Sequence, residues 1–320
     1  MKTYTAAIAA ILLAVTTAAA QVQIDQKRPA SKNGQVRIEN SFGSTTVIGW
    51  DKGEVAVKGR LATGAEDLDF DADEESVSIS VDMPEHRDHH HDDGSELASE
   101  LEIHVPKGSA VQVETVSGIV SVDGVEGALS IETISGDITV KGSPRAVEID
   151  TVSGTTRIDA AAAEMNLQTV SGEIRVRGAS RNLSVSCVSG DLDIAGKDLE
   201  RARIESISGN VRIEGSFRSE GSLEVEMHSG DVDLVVPADV AARFHLTTYS
   251  GGIESDLGPK PRRTKTYSPN LESRFTIGQS DFDVSVQTFS GDITVRVNRA
   301  GSPDDTKPRS PGAPPASPLI

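Results

Sequence analysis

The chain is 320 residues long, with 49 acidic against 31 basic side chains, a formal charge of −18, one cysteine and 3% aromatic residues. That balance repels nucleic-acid phosphates and anionic headgroups, which excludes a nucleic-acid partner. A single cysteine allows no disulfide framework, so packing alone must hold the fold, and so few aromatic rings leave little material for the stacking platforms of a sugar cleft.

The first twenty residues read as a secretory signal. Lys2 supplies the positive start, residues 6–15 an apolar stretch, and Ala18-Ala19-Ala20 a small-residue cleavage site before Gln21. The apolar run is short for crossing about 30 Å of hydrocarbon, and no later segment approaches that length. The expectation is a periplasmic or secreted protein, cut after Ala20, with no transmembrane segment beyond the signal.

Residues 21–105 read as an N-terminal β region and cap. Residues 35–39, 45–50 and 54–57 alternate apolar and polar side chains. The step Asn40-Ser41-Phe42-Gly43 looks like a degenerate bend, and Trp50 is placed to plug the end. The acidic run of Glu66, Asp67, Asp69, Asp71, Asp73, Glu74 and Glu75 reads as the solvated side of a hairpin. A loop over residues 85–93 then interrupts the pattern, with His86, His89, His90 and His91 among Asp88, Asp92 and Asp93. Imidazoles at that density are candidate ligands for zinc, copper or nickel. A solvated polar loop is the competing reading, and no cofactor is expected.

A Ser-Gly step recurs at Ser117, Ser135, Ser153, Ser171, Ser189, Ser208, Ser229, Ser250 and Ser290, at intervals of 18, 18, 18, 18, 19, 21, 21 and 40. A fixed period carrying one alternating pattern means one unit stacked on itself. In the unit of residues 128–145, Leu129 and Ile131 alternate with Ser130 and Glu132. Thr133-Ile134-Ser135-Gly136 intervenes, and Ile138 and Val140 alternate with Thr139 and Lys141. This predicts two short strands per turn of an all-β parallel solenoid over residues 106–298, with the aliphatic columns inside and Glu132, Glu148, Asp150, Arg157, Arg175 and Asp193 facing water.

Gly at the bend permits a backbone that a Cβ forbids, and a stacked Ser column can hydrogen-bond along the axis. Nine equivalent serines with no adjacent His do not describe a nucleophile. Asp137, Asp191, Asp231 and Asp292 follow the bend, but one carboxylate per turn is too few hard oxygens for calcium. Cys187 stands where other turns carry Thr115, Thr133, Thr151 and Thr169, which predicts a small buried side chain.

The 40-residue interval before Ser290 reads as an inserted loop, 255–280, holding the one basic cluster: Lys260, Arg262, Arg263 and Lys265. Loops on rigid scaffolds tend to carry recognition, so Arg262, Arg263 and Lys265 are the candidate binding residues. The position after the Thr column changes from Val116, Ile134, Val152, Val170, Val188 and Ile207 to His228, Tyr249 and Phe289. A binding ridge is one reading of that change, and larger filler for a wider coil is the plainer one. Residues 299–320 are rich in Pro, Ser and Gly and read as a disordered tail.

The stretch from Asn40 through Thr45-Thr46-Val47-Ile48-Gly49-Trp50, the later Leu101-Glu102-Ile103-His104-Val105-Pro106, and the Val-Ser-Gly-Asp-Ile turns resemble the bacterial adhesin-like β-strand-repeat family. That family is a domain of unknown function, similar in look to autotransporter adhesin heads, and the resemblance covers about residues 33 to 298. It implies a right-handed parallel β-solenoid in or outside the cell envelope and offers no catalytic residues. The leading reading is a non-enzymatic binding or scaffold module whose partner is an envelope protein or a polysaccharide. The rival is a carbohydrate-active β-helix enzyme, in which two carboxylates about 5 to 9 Å apart do acid-base work, as outward acids such as Glu132 and Asp150 could. A spacer without a ligand is the third.

Overall fold

The computed structural model describes residues 22–62, 65, 67–82, 98–263 and 270–298. Its strands in chain order are β1 (Gln23–Pro29), β2 (Gln35–Glu39), β3 (Phe42–Trp50), β4 (Glu54–Arg60), β5 (Asp67–Ala72), β6 (Ser76–Asp82) and β7 (Ser99–Pro106). The middle holds β8 (Ala110–Asp123), β9 (Ala128–Ser135), β10 (Ile138–Gly142), β11 (Ala146–Ala160), β12 (Ala162–Ser189), β13 (Leu192–Ser208) and β14 (Val211–Ser229). The chain ends with β15 (Val232–Pro237), β16 (Ala242–Ser250), β17 (Ile253–Ser255), β18 (Arg262–Arg263), β19 (Leu271–Ile277), β20 (Asp281–Ser290) and β21 (Ile293–Asn298). All of them join one hydrogen-bonded network, and no helix occurs among the described residues.

The middle of the chain is a β-solenoid. Val111 pairs in parallel with Leu129, Leu129 with Val147, and Val147 with Met165, so one residue file climbs the axis in steps of 18. Leu183, Ala202 and Leu223 continue it. A second file runs from Val120 through Ile138, Thr156, Ile174, Leu192 and Val211 to Val232. Period-two alternation turns both files inward, where they are essentially excluded from water. The short strands expected on either side of the bend are merged through it in β8, β11 and β12, while β13 and β14 run from one bend to the next. The Ser-Gly corner itself pairs with the next coil, as Ser153 with Ser171 and Gly154 with Gly172.

The bend glycines are fixed by their neighbours above and below. Gly154 has φ of 123°, a region costly for any residue with a Cβ, and a Cβ there would also drive into the carbonyl oxygen of Gly136. The same carbonyl-to-glycine approach repeats from coil to coil along the column.

Both ends depart from sequence order. At the N-terminal end the coil β2–β3 pairs with β8 on one side and with β6–β7 on the other. The degenerate bend stacks as expected, with Phe42 against Ser117 and Gly43 against Gly118, across 75 residues of sequence. At the C-terminal end β20–β21, last in the chain, lies between β14–β15 and β16–β17. The 40-residue interval therefore holds more than a loop. β19 runs antiparallel on β16, with the Phe244 and Phe275 rings stacked at 4.8 Å, and β18 pairs with β19.

Antiparallel strands close the ends. β4 covers β7, β1 covers β4, and β5 covers β6, burying Ile24, Val55, Val57, Leu68 and Phe70. Asp67, Asp69 and Asp71 face solvent from the β5–β6 hairpin, as the acidic run predicts; Glu66 lies outside the described residues. Trp50 is not the plug. It sits half-buried at the end of β3, its Nε1 donating to the Glu54 carbonyl at 2.8 Å and its ring tilted 4.9 Å from His104, because the alternation that buries Val47 carries it to the coil's outer corner.

Candidate functional site

In the reference coil the alternation puts Ile131 in, Glu132 out and Thr133 in. Ile134 is then out, against its own chemistry. Stacking repeats this parity from coil to coil and produces three parallel rows beside the bend: carboxylates, interrupted by Gln168 and Ser186; small hydroxyl-bearing side chains, replaced by Cys187 and Met227 on two coils; and exposed aliphatics. The rows enclose a longitudinal groove of about 1080 Å³ running from Glu39 to His228.

The outer row is Val116, Ile134, Val152, Val170, Val188 and Ile207, each 39% to 56% exposed. It continues into His228, Phe289 and Tyr249. Those rings stack at 5.1 and 4.8 Å with interplanar angles of 4°, in an order that exists only because β20 inserts between β14 and β16. The larger residues are therefore not filler for a wider coil. Phe289 is 50% and Tyr249 43% exposed, because the register that points Thr288 and Thr248 inward must point their successors outward.

Most of the floor hydroxyls are engaged within the corner, while Thr169 Oγ1 is buried without a hydrogen-bond partner. Thr133 Oγ1 donates to the Ser135 carbonyl at 3.2 Å, Thr151 to Ser153 at 3.3 Å, and Ser206 to Ser208 at 3.4 Å. These hydroxyls stitch the corner on which they sit. Cys187 occupies the same row, buried as expected, with Sγ 4.0 Å from the Gly190 carbonyl, and burial pushes its thiol pKa up, so it is not an activated nucleophile.

The inner wall carries six carboxylates, Glu39, Glu114, Glu132, Asp150, Glu205 and Glu226, and the groove lining includes no Lys or Arg. Arg37 reaches Glu39 at 2.6 Å and Glu114 at 2.8 Å, and Arg203 reaches Glu205 at 2.6 Å. Among the described residues Glu132, Asp150 and Glu226 have no ion-pair partner within 4 Å, which leaves the wall negative.

The acids after the bend hold the stack. Asp191 Oδ1 accepts from the Asn210 amide at 2.8 Å, Asn210 Oδ1 from Asp231 at 3.3 Å, Asp231 from Asp292 at 2.8 Å, and Asp292 from Gly252 at 2.6 Å. Asp137 does the same for Thr155 at 3.1 Å. These carboxylates do carry the axial ladder that the Ser column seemed suited to; Ser153, whose Oγ donates to the Ile134 carbonyl at 3.3 Å, contributes one rung.

Other sequence candidates fall elsewhere. Arg262 and Arg263 are exposed on β18, at the C-terminal cap and away from the groove lining. Lys265, His86, His89, His90 and His91 lie outside the described residues, as does the signal. Among the described residues no group of three or more His, Cys, Asp or Glu is placed to hold a metal. Glu132 and Asp150 do meet on neighbouring coils.

The arrangement defines a class: a capped β-solenoid with a rigid longitudinal groove. Within that class the chain matches the Toastrack DUF4097 family over residues 98–296, more than half its length, and belongs to that family. No curated protein matches it. Among solved structures it resembles a candidate cell adhesion protein from Clostridium sporogenes, at 8% identity over 87% of this chain and 100% of that one, with a TM-score of 0.26. Candidate adhesins from Bacteroides fragilis and Parabacteroides distasonis are each 10% identical over 87% of this chain and 98% of theirs, with TM-scores of 0.44 and 0.40.

Proposed function

We propose that this protein is an exported, non-enzymatic, adhesin-like binding module, and that the longitudinal groove is its binding face. One observation carries the reading: an unbroken row of solvent-exposed Val, Ile and aromatic side chains on successive coils, flanked by carboxylates. A contiguous apolar patch of this kind on a soluble surface marks an interaction site. The outward apolar row, and the burial that pushes the Cys187 thiol pKa up, favour binding over chemistry. Export rests on the signal-like residues 1–20, and no helix among the described residues is long and apolar enough to cross a membrane. The exposed pair Arg262 and Arg263 is a second, separate contact region.

The test is affinity capture from envelope extracts with the wild-type chain and with an Ile134→Ser, Val152→Ser, Val170→Ser triple variant. These side chains point outward, so the variant keeps the wild-type circular dichroism. The expected result is loss of the captured partner, while Arg262→Glu with Arg263→Glu retains it. Undiminished capture by the triple variant would overturn the assignment of the groove.

A further inference from the structure

Resting on the groove as the binding face, we propose that its occupant is a basic, proline-rich polypeptide lying along the axis in polyproline II form. Three features lead there. The wall holds six carboxylates and no base, three of them without an ion-pair partner, so the ligand must bring cations. The floor hydroxyls of Thr133, Thr151 and Ser206 are spent on the Ser135, Ser153 and Ser208 carbonyls and that of Thr169 is buried, so a polysaccharide, which needs many exposed donors and acceptors, finds few. The outer row is aliphatic over most of its length and aromatic at one end, a surface suited to proline rings and side-chain stems.

Spacing adds to these three. Aromatic centroids on adjacent coils are 4.8 and 5.1 Å apart with the rings 4° from parallel, so at its aromatic end the outer row advances by one coil spacing per ring. Two coils advance about 9.6 Å at about 4.8 Å each. A polyproline II helix repeats every three residues, about 9.3 Å. Each third residue of the ligand therefore meets each second rung along the groove. An extended strand, with a side-chain repeat of about 6.6 Å, falls out of register within two coils. A lysine or arginine at every third position would face the carboxylate row, with one cation seated between Glu132 and Asp150, which pair on adjacent coils, and the stacked rings of Phe289 and Tyr249 as an end stop for an aliphatic or guanidinium group.

The experiment is fluorescence anisotropy on the full chain with labelled (Pro-Pro-Lys)4, against (Gly-Gly-Lys)4 of equal charge, uncharged oligoproline, and neutral and acidic oligosaccharides. The Pro-Pro-Lys peptide is expected to bind at least about tenfold more tightly than the flexible one. Glu132→Gln with Asp150→Asn should weaken it about tenfold and flatten its salt dependence. Ile134→Ser with Val152→Ser should weaken it by a similar factor with the salt dependence intact. Equal affinity for the two cationic peptides, or indifference to the serine variant, would reduce the effect to general charge attraction and overturn the proposal. So would groove-dependent binding of an oligosaccharide with none of the peptide. If extract capture still depends on Ile134, Val152 and Val170 while no cationic peptide binds, the binding face stands and the polyproline ligand falls.

Discussion

A single corner residue shows how tightly the stack is specified. Gly154 combines a φ of 123° with a Cβ position already occupied by the Gly136 carbonyl, so Ala there is strained both by its own backbone and by the coil beneath. Gly154→Ala is expected to cost about 3 kcal/mol, read as a shift in denaturation midpoint; a loss below about 0.5 kcal/mol would mean the corner relaxes and the column is not a constraint. The bend glycine and its period were legible in the sequence, but the reason for it was only half visible. Backbone conformation can be inferred from one coil, whereas the close carbonyl approach belongs to two. The groove is legible in the sequence by parity: counting from Leu129 and Ile131 through Thr133 leaves Ile134 outside, and an apolar residue at an outward position on coil after coil is a surface signal. What parity does not show is the order of His228, Phe289 and Tyr249, which depends on β20 inserting between β14 and β16.

At the scale of elements, the ends carry what periodicity cannot show. Capping strands are joined by short connections to the outermost coils: β5 to β6, and β16 through β18 to β19. A strand folded back antiparallel consumes the open edge. The chain, having capped an end, can lay its next coil only on the inner side. This accounts for β2–β3 lying between β6–β7 and β8, and for β20–β21 lying between β14–β15 and β16–β17. Sequence period reports that Ser290 begins another coil, but the order in which coils stack is decided by distant pairings such as Leu223 with Val284 and Phe244 with Val284. The arrangement makes the last two strands a keystone. Ending the chain after Ser280 removes β20 and β21, so amides of β16 and β19 should lose hydrogen-exchange protection together with the missing strands, and the bared edge of β14 should drive concentration-dependent association. Retained protection in β16 with a monodisperse product would show that the outer coil stands without the inserted one.

For the whole molecule, eleven coils, from Val77 of β6 to Phe244 of β16 along one file, make a rod roughly 50 Å long at about 4.8 Å per coil, capped at both ends and grooved along one corner. Capped ends keep the solenoid from extending into a fibre, which confines sticky surface to the groove. A net charge of −18 reinforces that confinement, since copies repel one another while a cationic partner is steered in, and that attraction weakens with salt. Repetition then does what no single residue does here: six coils each offer an exposed Val or Ile, six offer an acid, and in file they make a line of contact. The basic pair at Arg262 and Arg263 sits at the opposite extreme, a local feature on a cap.

The decisive measurement is site-specific photocrosslinking in the native envelope, with the photoreactive residue placed at Val152 in one sample and at Arg262 in another. Placing the partner on the groove predicts a discrete, partner-containing adduct from Val152, which disappears when Ile134 and Val170 are changed to Ser. Adducts from Arg262 alone, with Val152 giving none, would contradict it.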